Sequence, residues 1–305
     1  MFTAIRRHWF VWLLVGYVAY ALAFIFNSSV VVDGRRYFLL VDDAMISMTY
    51  ARNLAQGFGA VWFPGADPVQ GYSNPLWMLY MAAVHFLPLP PELISLPIQL
   101  TGAALICGTL FLVKVITERL AEATPLPKAR DKVSPSTVNL SGLAPFFAVL
   151  LTAFYYPLNE WTLRGMEVGL MAFGITLAVW AALTSAAGAR NQWWLFPFLG
   201  LLTTVRMDAV VPGVVIVLWL AWAIPEQRRR TLAIGIGSIA IFVTAQMLLQ
   251  KVYYHDWLPN TYYLKVSGIP LVRRVVWGAY VLFYFLAGLG FWLFPMIAVH
   301  LVVDR

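Results

Sequence analysis

Six stretches of this chain, 9–26, 96–117, 142–158, 166–187, 231–250 and 275–301, are apolar over a length that lets a helix cross a bilayer, about 17–25 residues. In lipid the backbone must bond within its own segment, so such runs fold as helices. Three shorter runs, 75–88, 192–203 and 209–224, bring the expectation to eight or nine membrane segments. The fold class is an all-α polytopic membrane protein. Composition agrees: 11% of residues are charged and 61% hydrophobic, against about 25% charged in soluble domains. The 13 Trp, 14 Tyr and 20 Phe suit interfacial belts. A net charge of +7 then points to cytoplasmic loops and anionic headgroups, and no nucleic-acid partner is expected. Cys107 is the only cysteine and lies in an apolar run, which excludes a disulfide and a cysteine-based metal site. Arg6 and Arg7 before the first run imitate a signal peptide. No small-x-small site precedes Asn27 and more spans follow, so the first span is read as uncleaved.

Short basic loops set the orientation. Arg6 and Arg7, Arg228 to Arg230 and, weakly, Arg190 mark inner segments. Counting back puts 27–74, 203–208 and 251–274 outside. Two places resist. Loop 118–141 carries Arg119, Lys128, Arg130 and Lys132, yet counting through 75–88 and 96–117 puts it outside. Either 75–88 is re-entrant or the charge rule fails there. Loop 251–274 is basic and outside, which an anionic ligand would explain.

Segment 27–74 is too polar to span and too long for a connector. Within it, 41–56 has apolar residues at helical spacing and reads as an amphipathic helix lying at the interface, ended by Gly57-Phe58-Gly59. No internal repeat and no separate soluble domain are found, so 1–305 reads as one transmembrane module.

Four groups of polar residues carry chemistry. Asp42 and Asp43 are adjacent carboxylates beside a bilayer in a chain with only 14 acidic residues. Such a pair repels itself, more so at low dielectric. Two readings stand: a base, metal ligand or substrate binder, or plain helix N-terminal acids on the macrodipole. On one helix Asn53 falls about 20° from Asp42, and Arg52 about opposite Asp43. Second, Leu163 to Leu170 places Glu167 at the start of an apolar helix with Gly165 and Gly169 at close-packing spacing. Third, Arg206 and Asp208 interrupt apolar sequence, as a functional site or as the wet tip of a hairpin. Fourth, Tyr253 to Lys265 gathers aromatics, His255, Asn260 and Lys265, suited to sugar rings and phosphate or to an interfacial belt.

In this order the four groups resemble the GT-C superfamily of membrane glycosyltransferases, in particular the actinobacterial arabinofuranosyltransferase-like group. The matching segments are Asp42-Asp43-Ala44-Met45-Ile46, Arg52-Asn53-Leu54-Ala55-Gln56-Gly57-Phe58-Gly59 and Gly71-Tyr72-Ser73-Asn74-Pro75-Leu76-Trp77. Arg164-Gly165-Met166-Glu167 departs from the family pattern at Arg164, and Arg206-Met207-Asp208 departs at Met207. Tyr254 through Lys265 completes the set. The resemblance covers most of 36–270. Such enzymes commonly run further, so the family's C-terminal part is expected to be missing here.

The resemblance implies a GT-C-type helical bundle whose large first outer loop, 27–74, carries interfacial helices. It implies a multi-pass protein of the plasma (inner) membrane with its active site on the outer face. A sugar of the arabinofuranose or mannose class would pass, with inversion, from a polyprenyl-phosphate donor to a cell-envelope glycan, lipid or protein acceptor. Asp42 or Asp43 would be the base, the family pattern favouring Asp42. Arg52, Arg206, His255 and Lys265 would bind the donor phosphate. Asn53, Trp62, Tyr72, Asn74, Glu167, Asp208, Trp257 and Asn260 would contact substrate. The resemblance fixes no cofactor and leaves metal undecided; if a metal takes part, Asp42 and Asp43 would hold Mg²⁺ or Mn²⁺. Competing readings are a flippase or transporter of lipid-linked sugars and a non-catalytic binding subunit.

Overall fold

The computed structural model describes residues 2–123, 143–188 and 192–288. Arg190, Lys128, Arg130, Lys132 and the end of the last apolar run lie outside these residues. The chain divides into two compact units, Met1–Pro259 and Asn260–Arg305. The division falls inside the presumed outer loop 251–274.

The first unit is helical but for one hairpin. Helix α1 spans Phe2–Asn27. Strands β1 (Val30–Val32) and β2 (Arg35–Tyr37) pair antiparallel, Val31 opposite Arg36. They turn at Asp33-Gly34, both with positive φ, the geometry an Asp-Gly hairpin prefers. Helix α2 runs Asp42–Ala55, so the amphipathic reading of 41–56 holds. Its two acids sit in the first turn, where the dipole favours them. Helix α3, Pro75–Val84, starts with proline at its first position, where no intrahelical donor is needed. Helix α4 spans Leu96–Ala123.

The run 142–158 was expected to be one span and is two short helices, α5 (Ala144–Ala153) and α6 (Tyr156–Leu163). Tyr155 is extended and Pro157 follows in the first turn of α6. Proline has no N–H with which to continue a helix from α5 and is tolerated only in the first turn of a new one, and the break falls just before that turn. Then come α7 (Val168–Ala186), α8 (Leu195–Val205), α9 (Val210–Ala223) and α10 (Arg228–Tyr254). Arg206 is extended and separates α8 from α9. In the second unit, α11 covers Asn260–Val266 and α12 Leu271–Gly288. Basic segment 251–274 is therefore mostly helix.

Five helical segments among the described residues are long and apolar enough to cross a membrane: His8–Asn27, Pro91–Ala123, Val168–Ala186, Pro225–Tyr254 and Leu271–Gly288. Helices α3, α5, α8 and α9 are shorter. The architecture is that of an all-α membrane protein. Lipid offers no hydrophobic drive between helices, so packing relies on small residues. Ala178, Ala181 and Ala182 of α7 are buried against α8 and α9 in this way.

The contacts of the first unit sort its helix termini into two ends. Arg119 near the end of α4 donates to Thr184 near the end of α7 (2.7 Å). Arg230 at the start of α10 stacks over Trp193, just before α8. Trp9 of α1 packs on Phe146 of α5. The starts of α1, α8 and α10 thus share an end with the C-termini of α4 and α7. At the opposite end, Arg35 pairs with Glu92 and Gln99 donates to the Leu39 carbonyl. Both the exit of α1 and the entry of α4 therefore lie there, with the short helix α3 between them in the chain. The arginine-bearing termini then fall on one side.

Candidate functional site

Within the first unit, residues of the first three polar groups gather at the end opposite Arg119 and Arg228 to Arg230. Asn74 caps the approach to α3, yet its amide does not bond the helix. Its Oδ1 accepts from Ser47 of α2 (2.7 Å), and its Nδ2 donates to Glu167 Oε2 (2.7 Å). Glu167 Oε1 accepts from Arg206 Nη1 (2.9 Å). The Arg206 fork also donates through Nε and Nη2 to Asp208 (3.0–3.2 Å). A continuous relay Ser47–Asn74–Glu167–Arg206–Asp208 results, joining α2, α3, α7 and the α8–α9 turn. The Glu167 side chain has no exposed surface, and Arg206 retains 36%. Buried carboxylates are tolerated only when paired and hydrogen-bonded, and Glu167 is both. The hydrogen bonds that Arg206 donates to Asp208 first, and to Glu167 next, hold its proton more firmly than usual, against the burial that opposes it.

The α6–α7 turn ties in the same elements through its backbone. The Arg164 carbonyl accepts from Val41 N (3.0 Å), and the Gly165 carbonyl from Trp77 Nε1 (2.9 Å). Gly165 has φ +93°, and a Cβ there would lie 2.6 Å from Leu40. Glycine is thus required both for conformation and for space. Arg164, the departure from the family pattern, pairs with Glu160 one turn back (2.6 Å).

Above the relay, loop 57–72 is anchored by aromatics and one amide. Asn53 is buried and donates to the carbonyls of Val61 (2.8 Å) and Trp62 (2.9 Å). The hydroxyls of Tyr72 and Tyr254 pair at 2.9 Å. Tyr254 also donates to the Ala60 carbonyl, and the Ala60 N–H donates to the Tyr253 hydroxyl. Burial first of all pushes the Tyr72 hydroxyl pKa up, so it stays protonated.

Of the expected substrate contacts, Asn53, Tyr72, Asn74 and Glu167 thus spend their polar groups on the protein itself. The exposed groups are Asp42, Asp43, Arg52, Trp62, Asp208, His255 and Trp257. Neither aspartate makes a hydrogen bond or ion pair to a described residue. Asp43 lies one turn before Ser47 on the same stripe of α2, while Asp42 falls on the side of Asn53. Arg52 stands about 180° around α2 from Asp43, so the helix does not bring that pair together. It stands instead near His85. Burial foremost, then the Arg52 charge, lowers the pKa of His85 from its ordinary 6.5. His255 closes α10 in the left-handed region (φ 58°), and its carbonyl accepts from Lys251 (2.8 Å). Lys251 also lies over the Trp257 ring. Asn260 and exposed Lys265 belong to the second unit.

No group of three or more His, Cys, Asp or Glu side chains among the described residues is placed to hold a metal ion. Asp42 and Asp43 have no third such partner among the described residues. The residues that sequence reasoning passed over are Ser47, at one end of the relay, and the glutamines of α10. Gln246 and Gln250, one turn apart inside an apolar run, were the available signal.

No family model, curated protein or solved structure matches this chain.

Proposed function

We propose that this protein is a membrane glycosyltransferase that moves a sugar from a polyprenyl-phosphate donor to a hydroxyl acceptor. The observation that carries the reading is the relay. Residues 74, 167 and 206 come from three separate motifs of the resemblance, and they bond one another beneath an exposed carboxylate pair.

In this reading one aspartate accepts the proton of the acceptor hydroxyl as its oxygen attacks the anomeric carbon. The bond to the phosphate oxygen breaks on the opposite face, and the lipid phosphate leaves with the electron pair. The anomeric centre inverts. Side-chain register favours Asp43, which shares the Ser47 stripe, over the Asp42 preferred by the family pattern. Arg206 is poorly suited to the phosphate. It already faces two carboxylates, Glu167 and Asp208, so the cluster carries net charge −1. Arg52 and His255 are not so compensated. The basic termini of α4 and α10 suit the cytoplasmic side, which supports a reading with the aspartates on the outer face.

The test is transfer from a labelled polyprenyl-phosphate sugar in membranes containing the protein. Transfer by the wild type, and loss in Asp43→Asn or Asp42→Asn, is expected. Full transfer in both variants overturns the base assignment. Binding of donor without turnover by the wild type favours the binding-subunit reading instead.

A further inference from the structure

A cavity of about 550 Å³ lies between α3, the end of α8 and the last turns of α10. Its walls are largely hydrocarbon, among them Leu76, Met78, Phe242 and Leu249. No Asp, Glu, Lys, Arg or His side chain lines it. Three glutamines do: Gln70, Gln246 and Gln250. Gln70 Oε1, Gln246 Oε1 and Gln250 Nε2 are each buried without a hydrogen-bond partner. Gln70 and Gln250 are only 7% and 6% exposed. The tyrosine hydroxyls beside them are already taken, by each other and by Ala60. An unbonded buried amide is costly, and a polar residue within a membrane-length helix marks a site by default. Helix α10 keeps two of them on one face, one turn apart.

We infer that this cavity binds the linkage region of an uncharged glycerolipid. The unbonded donor, Gln250 Nε2, suits an ester carbonyl, and the unbonded acceptors, Gln70 Oε1 and Gln246 Oε1, suit a free hydroxyl. A purely hydrocarbon isoprenoid would leave all three unbonded. A phosphate would meet no cation. At about 30 Å³ for each water-sized group, the space takes on the order of 18 such groups, enough for the glycerol, two esters and the first chain carbons. The chains continue over Leu79 and Leu249, which are exposed beside the cavity. If the transfer reading holds, this lipid's hydroxyl is the acceptor, a step that rests on that reading; the binding does not.

The experiment uses the purified full chain in detergent and a dioleoylglycerol probe with a fluorescent acyl chain. Polyprenol and dioleoylphosphatidic acid compete. The probe should bind, and Gln246→Leu and Gln250→Leu should each weaken it about tenfold, one hydrogen bond's worth. Both variants should hold polyprenol as well as or better than the wild type. Phosphatidic acid should compete at least about tenfold less well than unlabelled dioleoylglycerol. Without lipid, neither variant should melt lower, because each removes an unbonded amide. Should a leucine variant fail to fold, Gln246→Met and Gln250→Met read the same loss. The proposal is overturned if the wild type does not bind the probe, if the variants bind it equally, or if polyprenol or phosphatidic acid displaces it more effectively. Intact probe binding without sugar transfer sinks only the enzyme reading. Intact transfer without probe binding sinks only this one.

Discussion

The two sets of acidic residues at the same end of the first unit live in opposite conditions. Glu167 is fully enclosed, and both its oxygens are bonded by Asn74 and Arg206. Asp42 and Asp43 are exposed and bonded to no described residue. A carboxylate that satisfies itself within the protein holds elements together, and one left in the open at a rigid helix start is free to act on something else. The motif set of the sequence therefore splits into an internally bonded scaffold and an exposed edge, although its residues look alike on paper.

Substituting the open pair should separate activity from stability most widely. Asp43→Asn is expected to cut sugar transfer by about 10² or more, the scale of a lost general base. Its thermal unfolding should shift by no more than the roughly 0.3–1 kcal/mol of a helix-dipole contact. A melting loss as large as that of a Glu167 variant would erase the distinction. Glu167→Leu should do the reverse and destabilise by roughly 3 kcal/mol, the lower end for breaking a buried pair because Arg206 still reaches solvent. Thermal unfolding in detergent measures it, and unchanged stability would make Glu167 a reacting group after all.

Gly165→Ala tests whether the α6–α7 turn belongs to the scaffold. Its Cβ would press on Leu40 in a left-handed backbone, costing about 2 kcal/mol in the same unfolding measurement. The smallest effect concerns His85, outside both sets. Its folded pKa lies below 6.5, so between that folded value and 6.5 the unfolded chain binds more protons. Stability should therefore fall as pH drops through this window, by about 1 kcal/mol or less after allowing for its partial exposure. His85→Phe should flatten that slope while leaving the aspartate and Glu167 effects untouched.

Much of the fold was legible because it rests on local rules. The apolar runs became helices, and the 41–56 helix begins at Asp42 as its acids and apolar spacing indicate. The Asp33-Gly34 hairpin was equally legible, flanked by valines and a basic-aromatic triplet, but went unread. The break at Tyr155-Pro157 was written in the proline and hidden by the apolar composition around it. Parity along the chain cannot distinguish a helix that crosses from one that returns. That the exit of α1 and the entry of α4 share an end follows from Arg35–Glu92 and Gln99–Leu39, contacts between distant residues. For the same reason no spacing rule showed that Asn53 and Asn74 would be consumed by carbonyls and by Glu167. Side-chain type announces what a residue is able to bond, and only packing decides whether the partner is internal.

The grip of α10 on Ala60 has a consequence for how this end of the protein opens. Both polar groups of Ala60 are bonded, its N–H to Tyr253 and its carbonyl to Tyr254, on the final turn of that helix. The Ala60 amide sits in a segment without regular secondary structure, where deuterium exchange is ordinarily fast. Here it is released only when the helix terminus lets go. Loop and helix end should therefore exchange at one common rate, as a single opening unit drawn from two parts of the chain almost two hundred residues apart.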